Sequence, residues 1–449
     1  MTRRRGVLNR NFTNGLQMFQ RLQQTEFPPI FRCPKSNVLT MKKVITLSMA
    51  LVMVFISCSK DDDEVPPSAD PRSARMQAIA DSMRLQIDSL VGLPIPGMHF
   101  YVQSPQGSYF ISSAPIPSRR ITSAHWFRFA SLTKLFTASA VLNMQEEGWL
   151  DIDDTITSTV PGFGTTYVPS TPEWDIPYKN QITIRQLLSH TAGVFDCDND
   201  TVPALGMKLT DYLLQSNPDH PFTTEDFTST NATYNLSYFQ PGTGYKYSNV
   251  GYSILGNIIA RVYSANSIFP KTYTNYLEEV MITSVPSTVG SIRFPDNSTD
   301  KFIPSPGSNG MTYTGGTDTL SITAYNPSIL IAQGNGQGTL KAVHDWVRKT
   351  LKAQGALTTQ TIQLMNTPFV PDYSGEQYTF GYQDFGSIGR GHSGARAGNL
   401  CIAAYNPAND VSVLGYLPFW DIRDDINTVI NNNLIPLYIT MDLLAQEAQ

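Results

Sequence analysis

Three short strings stand far apart in this 449-residue chain: Ser131-Leu-Thr-Lys134, Tyr247-Ser-Asn249 and His392-Ser-Gly394. If they serve one site, distant segments must fold against one another, which constrains the architecture more than composition does. The chemistry argues for one site. A hydroxyl attacks carbonyls poorly near neutral pH, so it needs a neighbouring base, a proton shuttle and donors for the developing oxyanion. Ser131 opens Leu135-Phe-Thr-Ala-Ser-Ala-Val-Leu-Asn-Met144, a run of helix formers and apolar residues without Gly or Pro, so a helix is expected with the hydroxyl at its N-terminus. Residues three apart share a helix face, which brings Lys134 to the Ser131 oxygen. The first-turn N–H groups lie alongside.

Tyr247 follows the turn signal Gln240-Pro-Gly-Thr-Gly244 and precedes Ile254, Leu255, Ile258, Ile259 and Val262, a buried helix face by spacing. Its phenol is therefore expected on a loop entering a helix. His392 sits in Gly389-Arg-Gly-His-Ser-Gly394, ahead of Leu400–Tyr405 and Val411–Leu417, which read as an antiparallel hairpin around Asn406-Pro-Ala-Asn-Asp410. Small residues beside His392 let a substrate backbone lie along the strand edge. Ser57-Cys-Ser-Lys60, Tyr178-Lys-Asn180 and Tyr273-Thr-Asn275 fit the same patterns but lack these contexts.

With these residues in place the chain resembles the penicillin-recognising serine hydrolases, the branch of class C β-lactamases, serine D-alanyl-D-alanine carboxypeptidases, D-aminopeptidases and esterases. Ile184-Arg-Gln-Leu-Leu-Ser-His-Thr-Ala-Gly193 and Gly148 through Leu150-Asp-Ile-Asp-Asp154 are similar to two accessory family segments. The resemblance implies an α+β, DD-peptidase/β-lactamase-like fold: an antiparallel sheet flanked by helices, with a mostly helical second subdomain. It implies Ser131 as nucleophile, Lys134 as its partner, Tyr247 as proton shuttle and Asn249 as donor to the substrate amide. His392 takes the place of the Lys in K-T-G and is expected to bind a substrate carboxylate as a cation, the alternative being a neutral imidazole that accepts a hydrogen bond within the Tyr247 and Lys134 network. Gly394 belongs to that triplet, and the N–H of Ala395 joins that of Ser131 in the oxyanion hole. Arg396 is weighed as a carboxylate-binding residue against a surface ion pair. No cofactor and no metal are implied. The expected substrates are small peptides of D-amino acids, such as those of peptidoglycan, with esters or β-lactams as alternatives. A non-catalytic envelope protein retaining the fold is the third reading.

The N-terminus suggests a destination. Met41-Lys-Lys43, the apolar stretch from Val44 to Ile56 and Phe55-Ile-Ser-Cys58 read as a lipoprotein signal, with cleavage leaving a lipidated Cys58. Residues 1–40 are an Arg-rich, non-native or disordered extension on this reading, 41–57 the signal and 58–74 an acidic, Pro-rich tether. The hydrolase domain runs over 75–449, with an α/β subdomain from 75–125 and 345–449 and a helical one from 126–344. A monomer, lipid-anchored in the cell envelope, is expected. Of 32 basic and 37 acidic residues, nine and one precede Cys58, leaving 23 against 36, a formal −13. A surface so acidic excludes nucleic-acid binding, which needs Lys/Arg clusters. His99, His125, His220 and His344 lack partners at metal-ligand spacing. His190 is expected to fix a turn, and Cys197 and Cys401 to be buried free thiols.

Overall fold

The computed structural model describes residues 70–116, 120–315, 318–366, 378–421, 423 and 429–449. The expected signal sequence, Cys58 and most of the expected tether lie outside the described residues. Helix α1 spans Pro71–Val91 and starts earlier than the Arg75 expected. Asp70 caps it, accepting from Arg72 N at 2.9 Å, and Pro71 needs no partner for an N–H it lacks. Its buried stripe is Met76, Ala80, Met83, Ile87 and Val91, while Leu90, expected on that stripe, is exposed. Both Leu90 and Val91 keep helical spacing from Ile87, and it is Val91 that packs into the core beneath the sheet. Strands β1 (Met98–Ser104) and β2 (Gly107–Ser113) form the hairpin that Pro105-Gln-Gly107 signals.

The middle of the chain supplies β3 (Trp126–Arg128), α2 (Thr133–Glu146), α3 (Asn249–Ala265), β4 (Ile292–Arg293), β5 (Gly310–Gly315), β6 (Asp318–Ile322), β7 (Gln337–Thr339) and α4 (Leu340–Leu351). Helices α2 and α3 are buried along nearly all of α2 and most of α3, so they form the centre of the helical body rather than its surface. Phe136 of α2 stacks on Trp346 of α4 with ring centroids 3.6 Å apart. That contact ties the helical body to the sheet, because α4 also packs on β1 and on the later strands Asn399–Asn406 and Val411–Leu417.

Strands β8 (Gln383–Asp384), β9 (Arg390–Arg396), β10 (Asn399–Asn406) and β11 (Val411–Leu417) follow, then β12 (Phe419–Asp421) and α5 (Ile435–Glu447). The main sheet is antiparallel in the order β2-β1-β11-β10-β9-β8, so the two chain ends meet at β1 and β11. Tyr101 stands opposite Leu414, and Ala403 opposite His392. One sheet face packs on α1 and α5 and the other on the helical body, giving two cores separated by the sheet. This is the α+β arrangement the motifs imply. Two sequence expectations shift. The sequence pattern places the last helix from about Asp421, but Phe419–Asp421 is a strand parallel to β5, and helical chain is described from Ile430, where the π-helical turn Ile430–Leu434 runs straight into α5. Pro418 interrupts the ladder, so the chain leaves β11 and joins the small β12-β5-β6 sheet. The subdomain border placed at 344/345 falls inside α4, a single continuous helix.

Candidate active site

Ser131 lies in a single 3₁₀ turn, Ala130–Leu132, that feeds directly into α2. Ala130 holds φ at 46°, a left-handed conformation costing about 1 kcal/mol for a residue with a Cβ. The turn is pinned from both sides. Phe129 N donates to Gly336 O at 3.1 Å, and the Thr133 hydroxyl donates to Ala130 O at 2.7 Å while accepting from Gly336 N at 3.0 Å. Strain held by surrounding hydrogen bonds is a common mark of a functional turn.

Lys134 is fully buried, and its Nζ reaches Asn249 Oδ1 at 2.7 Å, Gln333 O at 2.8 Å and Ser131 Oγ at 3.2 Å. The two carbonyl oxygens only accept, so each takes an N–H. The third position faces the serine: an ammonium donates to Oγ, and a neutral amine accepts the hydroxyl proton. Either way the amine is held where a base for Ser131 must be. The same Nζ lies 4.7 Å from the Tyr247 ring centroid, within cation–π range.

Tyr247 and Asn249 flank Ser248, the N-cap of α3, whose hydroxyl accepts from Gly251 N at 3.2 Å. His190 fixes this entry. Its carbonyl accepts from Lys246 N at 3.0 Å, its Nδ1 accepts from Ser248 N at 3.2 Å, and its ring centroid is 4.2 Å from that of Tyr247. It therefore holds the Tyr247 loop by the backbone and the phenol by packing, from a left-handed φ of 57°. Two buried carboxylates set the Asn249 amide. Asp196 Oδ2 accepts from Asn249 N at 2.9 Å, and Asp198 Oδ2 accepts from Asn249 Nδ2 at 3.2 Å. With Nδ2 turned to Asp198, Oδ1 must face Lys134.

Strand β9 closes the site. Gly394 does not line the cavity, as its place in the triplet had suggested. A Cβ there would stand 2.1 Å from Phe129 O, so the missing side chain is what lets β9 approach the Ser131 turn. Ser393 N points outward, to Gln383 Oε1 at 3.4 Å. By the two-residue period of a strand the Ala395 N–H points the same way, beyond the short β8. Ser131, Tyr247, Asn249, Gln333, Ala395 and Arg396 line one cavity of about 260 Å³. Arg396 is half-buried rather than on the surface, 3.9 Å from Asp198 Oδ2.

His392 departs from the expectation of a substrate-facing cation. It is fully buried, its Nδ1 contacts Ser393 O, and its Nε2 lies 3.1 Å from the Tyr378 hydroxyl. A carbonyl only accepts, so Nδ1 carries the proton and Nε2 accepts from Tyr378. Burial, then the Lys134 charge, pushes its pKa down to about 3. The ring is neutral and shut behind Tyr378, which cannot pair with a carboxylate.

His392 therefore acts on stability instead. Burial also pushes His99 to about 3 and lowers His190 and His344. Unfolded, each protonates below about pH 6.5, so the unfolded state gains protons that the folded state refuses, and stability falls with pH through that window. Asp196 works the other way, since burial and the neighbouring Asp198 charge raise it to about 7 and its folded form takes up a proton earlier. Melting temperature is expected to drop between about pH 6.5 and 4.5, less steeply in His392→Gln. An identical slope in that variant would mean His392 is charged in the folded protein.

The family model described as Beta-lactamase matches residues 95–417, most of the chain. The chain belongs to that family. Among curated relatives, penicillin-binding protein 4* of Bacillus subtilis is 31% identical over 143 residues, 30% of this chain and 25% of that protein. The chain spans about a quarter of the length of the curated relatives it matches. Two solved structures share the fold. A D-stereospecific amidohydrolase from Streptomyces sp. gives a TM-score of 0.61 at 21% identity, covering 80% of this chain and 97% of that one. The D-amino acid amidase of Ochrobactrum anthropi SV3 with L-phenylalanine amide gives 0.63 at 17%, covering 84% and 99%.

Several site residues escaped the sequence reading. Gln333 contributes a backbone carbonyl, which any residue supplies, so no signal marks it. Asp198, Lys208, Tyr378 and Trp420 come from segments without a motif, and only the fold brings Lys208 and Trp420 to the Ser131 cavity, Asp198 to Asn249 and Tyr378 to His392.

Proposed function

We propose that this chain hydrolyses short peptides or amides of D-amino acids through an acyl-enzyme on Ser131, as a D-Ala-D-Ala carboxypeptidase or a related D-amino-acid peptidase of the cell envelope. The observation that carries this is the Lys134 amine, held by two carbonyl oxygens with its remaining position 3.2 Å from Ser131 Oγ. Ser131 Oγ attacks the scissile carbonyl, and its proton passes to the Lys134 and Tyr247 pair and on to the leaving amine. The Ser131 and Ala395 N–H groups receive the oxyanion. Asn249 spends one N–H on Asp198 and keeps the other for the substrate amide. Water then attacks the ester, with the same pair taking its proton. The outward edge of β9 beyond β8 supports a peptide-like substrate, because an extended backbone can add to it. The two fold neighbours, an amidohydrolase and an amidase, point the same way.

The test is a comparison of kcat/KM on a D-Ala-D-Ala peptide, a D-amino acid amide, a p-nitrophenyl ester and nitrocefin. The D-peptide or the amide is expected to lead. Fastest turnover of the ester would favour the esterase reading, which the neutral His392 also suits, and fastest turnover of nitrocefin would make the chain a β-lactamase.

A further inference from the structure

Single exposed apolar side chains are ordinary on a folded protein, but adjacent ones that project together call for a partner. Among the described residues Ile268 and Phe269 are the two most exposed large apolar side chains, at 93% and 72%, and the only exposed pair of that kind adjacent in sequence. They form the tip of the loop 266–270, which leaves the C-terminal end of α3. Hydrogen bonds close the base of this loop. Asn266 N donates to Val262 O and Ser267 N to Ser264 O, each at 3.2 Å, while the Ser264 hydroxyl accepts from Lys271 N at 2.8 Å and donates to Lys271 O at 3.0 Å. The backbone itself therefore holds the tip outward. Beside the base stand Tyr263 and Trp149, both partly buried, with ring centroids 6.3 Å apart. Lys271 Nζ lies 5.3 Å from the Tyr263 centroid and 2.6 Å from Glu279 Oε2, which also accepts from the Tyr263 hydroxyl at 2.7 Å. That ion pair cancels its own charge.

We propose that the Ile268 and Phe269 tip is a lipid-contact site, whose two side chains enter the boundary between the headgroups and acyl chains of a bilayer. The inference goes beyond the catalytic reading and does not rest on it. Two such side chains cover roughly 300–400 Å² together, well short of the area of about 800 Å² that each partner gives a stable protein interface. A projecting tip also needs a matching pocket on a protein, whereas acyl chains part around it. Apolar tip, then Tyr and Trp rim, is the order in which an interfacial segment meets a bilayer, with amphipathic rings at headgroup level. Insertion stops at the side chains, since hydrocarbon satisfies no loop amide. Glu146 and Glu147 precede Gly148-Trp149 and lie near Tyr276, so this side is acidic and the attraction is apolar rather than ionic. The 17-residue α3 carries Asn249 at its far end, which sets the Ser131 site about 25 Å along the helix from the contact. A lipid on Cys58, the expectation from the sequence, would leave 12 residues to Asp70, a reach of at most about 40 Å that keeps the tip concentrated near the bilayer.

The experiment uses Phe269→Trp in the full-length protein, mixed with phosphatidylcholine vesicles whose acyl chains are either brominated close to the headgroup or unbrominated. Bromine quenches an indole only at contact. The emission that the substitution adds to that of the five native tryptophans is expected to fall by about half in the brominated vesicles, because a side chain seated about 5–10 Å deep meets the bromines. Ile268→Asp on the same background should abolish that quenching, since a carboxylate resists entry into the acyl boundary. Both positions are exposed, so thermal melts should match the wild type, and Ile268→Ser carries the test if the acid lowers the melt. Exchange of half the lipid for phosphatidylglycerol should leave the quenching unchanged or weaker. Added emission that is equal in the two kinds of vesicle overturns the inference. Quenching that survives Ile268→Asp also overturns it, because the tip would then be a passenger of an attachment made by the N-terminal segment. Quenching that requires phosphatidylglycerol, or a dimer seen without lipid in sedimentation velocity and lost in Ile268→Asp, would assign the contact to charge or to a second copy of the chain instead.

Discussion

Ser131→Ala is expected to abolish covalent labelling by a fluorophosphonate and to reduce turnover on the order of ten-thousandfold or more, the size of effect seen when a nucleophile is removed from a working acyl-transfer site. The change deletes one oxygen whose described side-chain contact is the Lys134 amine at 3.2 Å. Ala suits the first turn of a helix, and the strained residue is Ala130, not Ser131. The variant should therefore melt within about 1 kcal/mol of the wild type. Intact-protein mass spectrometry after labelling and a thermal melt read both quantities. A mass shift retained in the variant would place the nucleophile elsewhere and remove the basis of the mechanism.

Lys134→Met is expected to slow acylation about a thousandfold, within the usual range for a lost acid/base group, and to cost stability as well. Met matches the length of the lysine stem without the amine, so packing beneath the Tyr247 and Tyr252 rings is largely kept. What is lost is the donor to Asn249 Oδ1 and Gln333 O, two buried oxygens that each cost about 1–3 kcal/mol when left without a partner. The burst phase of a p-nitrophenyl ester isolates acylation from deacylation. A burst within tenfold of the wild type would assign the first proton transfer to Tyr247 and leave Lys134 a structural cation.

The two variants separate roles that one hydrogen bond joins. Removal of Ser131 leaves the amine with its two carbonyl partners, so the scaffold survives without chemistry. Removal of the amine unlocks the Asn249 amide, whose orientation rests on Lys134 at one end and Asp198 at the other. A larger loss of stability in Lys134→Met than in Ser131→Ala is thus part of the same expectation.

The local order of the site was legible because each motif couples residues a few positions apart. Ser131 and Lys134 meet through a helical turn, and Tyr247 and Asn249 flank an N-cap, so periodicity and capping chemistry suffice to orient them. The hairpins were legible for the same reason, their turns being written in Pro, Gly and Asn. The entry of α1 was misplaced by a few residues because Asp70 and Pro71 read equally well as tether or as cap. Its stripe was misread at Leu90 because a helical pattern tolerates neighbours that differ only in which one the sheet covers.

His392 marks the limit of that local reading. Its type and place in β9 follow from the chain, and they suggested a titrating cation facing substrate. Its protonation depends instead on desolvation and on Tyr378, an aromatic that arrives from beyond a segment with no motif. The cations that do line the cavity, Lys208 and Arg396, carry no such mark, since a lone lysine or arginine looks the same on any surface. By itself, then, the sequence determined the family, the α+β plan and the pairing of Ser131 with the Lys134 amine, because these rest on short-range spacing. Which charges face the cavity was decided by the tertiary structure, because charge there is set by what packs over each group, and packing joins residues that the chain keeps far apart.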